Sequence, residues 1–238
     1  MVGGDGYGRD ILDLLHRERI DIRWMDQRPD LPTAVCVCMV GDAGESSILW
    51  HIDHEMSVTA TTIRGASEAI SNADAVLVTF EMPPESISET IRLASKHDTR
   101  VIVQPAPVLQ HETAARSLPW DLVDLVVPNQ TEARELLTDR QLPEVRLARA
   151  ITEQLGVQRV VVTLGADGCV TYSSDGHRHY PARAVVPVDT TGASDAFTAM
   201  LAAHLTAGAA EADAVDVAQR AAVAAISQPG GYKSMPIY

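Results

Sequence analysis

Lysine is nearly absent. Lys96 and Lys233 are the only two in 238 residues, and the formal net charge is −13. A chain with 32 Asp and Glu against 19 Lys and Arg is a poor partner for a polyanion such as DNA, so no nucleic acid is expected. A nucleotide is not excluded, because a local backbone cradle binds phosphate without a basic surface. Long apolar runs are missing too. None approaches the roughly 20 residues that cross a bilayer, so no membrane partner is expected. The opening residues, Met1 to Gly8, carry neither a basic region nor an apolar signal core, which argues against secretion. Cysteine is scarce. Cys36, Cys38 and Cys169 give no disulfide framework, and no Cys/His set has zinc spacing. Cys36 and Cys38 alternate along one strand and are expected as small buried hydrophobes. This usage suits a reducing, cytoplasmic compartment. There is also no P-loop lysine motif, so a nucleoside triphosphate would have to be held another way.

What is present is apolar material, 46% of the chain, enough for one sizeable core over residues 1–238. Gly3-Gly4-Asp5-Gly6-Tyr7-Gly8 leads into a helix pattern with Ile11, Leu12, Leu14 and Leu15. No strand is read before it, so it fails as a dinucleotide fingerprint and reads as a helix entry. Glycines without a delivering strand hint at a missing N-terminal segment. A hairpin is expected over about 32–52: Val35 to Val40, a turn at Gly41-Asp42-Ala43-Gly44-Glu45, then Ser47 to Trp50. His51, Asp53 and His54 beyond it read as solvated polar residues at a strand exit, with no third ligand at useful spacing.

From Ala73 the rhythm changes. Apolar strands at 75–79, 101–103, 122–127 and 159–164 alternate with helices at 85–97, 131–138 and 147–155. Cys169 to Tyr172 adds a short strand, and Ala184-Val185-Val186 reads as a strand end. Short, almost purely apolar strands separated by helices imply an α/β fold, a mostly parallel sheet covered on both faces. Ligands bind such sheets beyond the carboxyl ends of the strands. Glu81, Asn129, Glu132, Gly165, Gly168 and Asp195 all fall at such ends.

Three stretches admit a chemical reading beside a plain one. Val188-Asp189-Thr190-Thr191-Gly192-Ala193-Ser194-Asp195 precedes a helix whose apolar face is Ala196, Phe197, Met200, Leu201 and Leu205. Asp195 either complements the helix dipole or takes a proton from a hydroxyl beside an anion held on first-turn N–H groups. Asn129 and Glu132 form either a capping box or an amide–carboxylate pair for hydrated Mg²⁺. Thr163-Leu164-Gly165-Ala166-Asp167-Gly168 is either a tight turn or a backbone loop beside a nucleotide.

In order and spacing, these stretches resemble the ribokinase branch of the PfkB-type carbohydrate kinases. Val127 to Ala133, Val161 to Gly168, Asp189 to Phe197 and the tail Gly230 to Pro236 carry the resemblance. Val101-Ile102-Val103-Gln104-Pro105-Ala106-Pro107 and Gly4 to Arg9 add to it. The resemblance implies a ribokinase-like three-layer sandwich with a small partial β lid at the hairpin. It implies an ATP-dependent kinase acting on a sugar hydroxyl, ribose favoured, with fructose, 2-keto-3-deoxygluconate or a nucleoside as other acceptors. A nucleotide-binding protein without turnover is the reading of another class.

Residue by residue, the resemblance makes Asp195 the base, and Gly192, Ala193 and Ser194 the anion hole. Asn129 and Glu132 would serve Mg²⁺ and phosphate. Thr163, Gly165, Ala166, Asp167, Gly168 and Ser194 would meet ATP. Asp189, Thr191, Ala225, Gln228, Gly230 and Ser234 would hold a monovalent cation, K⁺ expected, and Glu81 would contact the sugar. Lids of this family often make dimer contacts, so a homodimer through the hairpin is expected. Two departures stand out: Ser194 where the family usually has Gly, and no counterpart to the family's N-terminal portion, which brings an aspartate and a Gly-Gly pair to the sugar. The tail also stops soon after Pro236. The chain is thus expected to be an N-terminally truncated kinase domain.

Overall fold

The computed structural model describes residues 1–40, 46–107 and 115–236. A strand does precede the glycine-rich opening, contrary to the sequence reading: β1 (Val2–Gly3) pairs in parallel with β2 (Gln27–Arg28). Two residues are too few to leave a periodic signal. Helix α1 (Gly6–Arg17) follows, capped by Asp5, which accepts from the Gly8 N–H at 2.9 Å. The Asp5 carboxyl also accepts from the Thr33 hydroxyl (2.7 Å) and N–H (2.9 Å), and these bonds, the hydroxyl foremost, lower it to about 2. The glycines serve close approach here. A Cβ on Gly8 would stand 2.1 Å from the Gly3 carbonyl oxygen, and one on Gly4 2.2 Å from that of Pro29.

The expected hairpin forms from β3 (Val35–Val40) and β4 (Ser46–His51), antiparallel, with Val35 opposite His51 and Cys36 opposite Trp50. The turn expected at 41–45 lies outside the described residues. Cys36 and Cys38 correct the sequence reading: both are exposed. The hairpin is a sheet of its own, and Val35, Val37, Met39, Leu49 and Trp50 are exposed as well. Alternation along an apolar strand buries a residue only where another layer covers that face. Asp53 caps the 3₁₀ turn His54–Met56, and no cluster of three metal-ligating side chains occurs among the described residues. Two short helices, α2 (Ala60–Gly65) and α3 (Ser67–Ser71), lead on to the main sheet.

That sheet contains β5 (Ala75–Thr79), β6 (Arg100–Gln104), β7 (Leu125–Val126) and β8 (Arg159–Thr163), all parallel. Two antiparallel strands extend it, β9 (Cys169–Ser173) and β10 (Gly176–Tyr180). The spatial order is β10-β9-β8-β7-β6-β5. Successive residues feed two cores. Val101, Val103, Val160 and Val162 point to one face, under α4 (Pro84–Lys96), α5 (Gln130–Leu136) and α6 (Glu144–Leu155). Ile102 and Val161 point to the other, under α7 (Ala193–Thr206) and α8 (Glu211–Ile226). Glu211 ties α8 down by accepting from Thr171 Oγ1 (2.9 Å) and Tyr180 Oη (3.0 Å).

Three elements differ from the sequence reading. Leu122 lies in a 3₁₀ turn, Trp120–Leu122, so the strand read at 122–127 is shorter. β10, Gly-His-Arg-His-Tyr, carries no apolar alternation and owes its form to backbone pairing with β9. Ala184-Val185-Val186 is no strand; no strand lies beside it among the described residues, and Val186 is 87% exposed. Among the described residues no helix is long and apolar enough to cross a membrane.

Candidate active site

The carboxyl ends of the parallel strands bring the candidate residues to one rim. An isolated parallel bridge joins Asn129 to Thr163, and the Thr163 N–H donates to the Pro128 carbonyl at 3.0 Å. Thus the loop after β7 and the loop after β8 lie side by side. Asn129 begins α5 with a complete capping box. Its Oδ1 accepts from the Glu132 N–H at 2.9 Å, and Glu132 Oε2 accepts from the Asn129 N–H at 2.8 Å. Asn129 Nδ2 donates to Glu132 Oε1 at 2.6 Å. The plain reading of this pair is therefore present in full, and it leaves each oxygen with a further lone pair.

Glu132 is buried, and its carboxyl is pushed up to about 7. Desolvation is the main cause. The Asn129 N–H opposes it, and the charge of Asp195 adds to it. Asp195 and Glu132 therefore lie within electrostatic reach, although they come from helices on opposite faces of the sheet. Asp195 itself occupies the first turn of α7, and its Oδ1 accepts from Gln104 Nε2 at 2.9 Å. Gln104 is the last residue of β6 and is buried. The sequence reading gave Gln104 no role. Its signal was its place at a strand's carboxyl end before Pro105; the contact, 91 residues away along the chain, is tertiary.

Gly192 precedes α7 at φ +79°, a left-handed conformation, and a Cβ there would stand 2.4 Å from Met235 Cε. The first-turn N–H groups of α7 have no acceptor within the helix. That of Ala193 is taken up by the Thr190 carbonyl at 3.3 Å. Asp189 spans two segments: Oδ1 accepts from the Thr191 N–H at 2.9 Å and Oδ2 from the Gly230 N–H at 2.8 Å. These N–H donors, Gly230 first, hold its carboxyl below the usual range. Ser234 is buried and donates to the Gly230 carbonyl, with the Gly231 carbonyl at 2.8 Å. Asp189, Thr191, Gly230 and Ser234 are thus gathered at one place. Ala225 packs with Ala196 and Met235. Gln228 is exposed.

Beside the helix tip opens a cleft of about 630 Å³, lined by Thr163, Gly165, Ala166, Gly168, Ala193 and Ser194 among others. Gly168, at φ +89°, lets the chain leaving β10 cross the loop: a Cβ would lie 2.0 Å from the Tyr180 carbonyl oxygen. Asn129, Glu132, Gly192 and Asp195 belong to the rim and do not line this cleft. Two further expected residues stand apart. Asp167 is exposed and does not line the cleft; its carbonyl pairs with His179 Nε2 at 2.8 Å. Glu81 is exposed beyond β5 and takes a bond from Thr79 Oγ1 at 3.3 Å; the Cys36 thiol of the hairpin is raised by desolvation first, then by Cys38, with the charge of Glu81 adding last.

A family model described as pfkB family carbohydrate kinase matches residues 1–237. A ribokinase of Bacillus subtilis (strain 168) is 30% identical over 239 residues, covering 99% of this chain and 76% of its own length. A ribokinase of Thermotoga maritima, solved as a crystal structure, matches with a TM-score of 0.83 at 26% identity over 99% of this chain and 76% of that one. A putative ribokinase II from E. coli, in complex with ATP and Mg²⁺, has a TM-score of 0.84 at 20% identity, a likeness of fold, over 99% of this chain and 78% of that one. The chain spans about three quarters of the length of these proteins.

Proposed function

Because the chain belongs to the pfkB family of carbohydrate kinases, phosphotransferases whose acceptor is a sugar hydroxyl, we propose that it transfers the γ-phosphoryl group of ATP to a pentose, ribose favoured. The observation that carries this reading is the helix tip. Asp195 stands on the first turn of α7, held by Gln104, beside a cleft lined by Ala193, Ser194 and the Thr163–Gly168 loop. In the proposed reaction Asp195 accepts the proton of the sugar hydroxyl. The hydroxyl oxygen bonds to the γ-phosphorus as the bond to the β,γ-bridging oxygen breaks, and ADP leaves with that electron pair. The N–H groups of Gly192, Ala193 and Ser194 stabilise the transferred group's charge. For Ala193 this requires its 3.3 Å bond to Thr190 to give way.

Asn129 and Glu132 would hold hydrated Mg²⁺. Hard oxygen donors suit that ion, and a buried carboxyl displaced to about 7 lacks the countercharge a cation supplies. The ion's chemistry there is charge neutralisation on the phosphate oxygens. The cluster of Asp189, Thr191, Gly230 and Ser234 supports a K⁺ site behind the anion hole, with Ala225 and Gln228 on its other side. Glu81 would meet the sugar beneath the hairpin, and the hairpin's apolar residues, exposed on both faces, support a role as lid and dimer contact. Fructose, 2-keto-3-deoxygluconate and nucleosides are the other acceptors, and a substrate panel separates them. Three unpaired thiols fit a cytoplasmic setting.

The test is Asp195→Asn. It is expected to abolish sugar-dependent ADP formation while leaving ATP affinity close to wild type. Unchanged turnover would refute the assignment. Ser194 lines the cleft with a side chain where the family usually has glycine, and this favours a second reading, ATP binding without transfer. Calorimetry that finds ATP binding and no response to any sugar supports that reading over the first.

A further inference from the structure

Asp195 sits on an exposed helix turn, where a carboxylate ordinarily rotates freely, yet a buried side chain from another element holds it. Gln104 is 3% exposed at the end of β6, and its Nε2 lies 2.9 Å from Asp195 Oδ1. Gln104 is itself fixed. β6 pairs with β5 up to Thr79 opposite Gln104, the Gln104 carbonyl accepts from the Ala106 N–H at 2.8 Å, and the Ala106 carbonyl accepts from the Phe80 N–H at 2.8 Å. A rigid, neutral donor is thus aimed at one oxygen of the carboxylate. A hydrogen bond of this kind sets the rotation of the carboxylate plane. It does so without a positive charge, which would make a proton acceptor a much weaker base. The other titratable group acting here is Glu132, whose carboxyl burial and the charge of Asp195 push up to about 7.

We propose that Gln104 is a positioning residue for phosphoryl transfer: it occupies Asp195 Oδ1 so that Oδ2 is presented to the acceptor hydroxyl. This rests on the reading of Asp195 as the base. The proton of the hydroxyl passes to Oδ2, and Gln104 neither gains nor loses one. The fold therefore uses the buried end of an interior strand to aim a group carried by a helix tip.

Gln104→Met keeps the side chain's bulk and removes its donors. The expected result is a fall in kcat of about tenfold to a hundredfold, the weight of one hydrogen bond to a charged group. KM for ATP stays within about twofold of wild type, as a change confined to the transition state requires. A packing role alone would not single out kcat in this way, so wild-type kcat in Gln104→Met overturns the proposal. If that variant does not fold, Gln104→Leu, which also removes the donors, decides by the same readout. Asp195→Asn, assayed alongside, separates the two failures. Full turnover in Asp195→Asn removes the base assignment and Gln104's role with it, whereas a silent Asp195→Asn beside a wild-type Gln104→Met overturns the positioning alone. A crystal structure of Gln104→Met gives a readout that needs no turnover: the Asp195 carboxylate is expected to rotate, and an unmoved carboxylate overturns the proposal.

Discussion

The rim at the strand ends and the β3–β4 hairpin are built from similar residues and behave as opposites. Val101, Ile102 and Val103 are fully buried because helices cover both faces of their sheet; Val35, Val37 and Met39 are each more than 40% exposed because nothing described covers theirs. The rim is also cross-tied, Gln104 to Asp195 and Asp189 to Gly230, across segments far apart in sequence, and Asn129 to Glu132 fixes one helix entry between them. The hairpin's strands pair with each other in a sheet of two. The same kind of apolar strand therefore becomes buried scaffold or exposed hairpin according to its cover. Groups that must be aimed to fractions of an ångström sit on the scaffold.

The sharpest way to break this contrast is Gly168→Ala. The added Cβ meets backbone at 2.0 Å and a positive φ. The expected cost is about 4 kcal/mol or more in urea unfolding, the range of strained backbone sites. A loss below about 1 kcal/mol would show the loop after β8 to be as yielding as the hairpin.

Glu132 gives the next effect, through pH. Its carboxyl rises from 4.5 to about 7 on folding, so between those values the folded state holds a proton that the unfolded state has released. Stability is then greatest below 4.5 and falls as pH rises to about 7. This group contributes a loss of about 3 kcal/mol, taken as an order of magnitude. Asp189, held below its usual range, acts with the opposite sign at lower pH. Comparing urea unfolding at pH 5 and 7.5 in wild type and Glu132→Gln isolates the term, which should vanish in the variant. Mg²⁺ should also reduce it in the wild type.

The smallest effect belongs to the hairpin. Val37→Ser and Leu49→Ser are expected to change stability by less than about 0.5 kcal/mol in dilute protein. A loss several times larger that grows with protein concentration would mean that a second copy covers these faces.

The same contrast explains what could be read from the sequence. Strands 101–103 and 159–164 were legible because burial on both faces leaves unbroken apolar runs; 75–79 reads the same way although it is an edge strand with Leu77 exposed, and α4 was legible because Ile87, Ile91 and Ala94 repeat at helical spacing. β10 was illegible because an edge strand needs only backbone partners, and its side chains, three of them His or Arg, carry no pattern. Ala184-Val185-Val186 has the composition of a strand and lacks a neighbour. Cys36 and Cys38 misled because alternation reports which face a residue takes, not whether that face is covered. Motif spacing singled out Asn129, Glu132, Gly192 and Asp195 as candidates. Which partner each one touches depends on sheet order, and so the bond from Gln104 to Asp195 became visible only in three dimensions.

Asp189 has one more consequence. With one oxygen on the Thr191 amide and the other on that of Gly230, it works as a clasp between the segment before α7 and the C-terminal tail. Whatever tugs, clips or binds the tail tugs the tip of that helix too. A protease nick near Gly230 should therefore be felt at Asp195, without touching it.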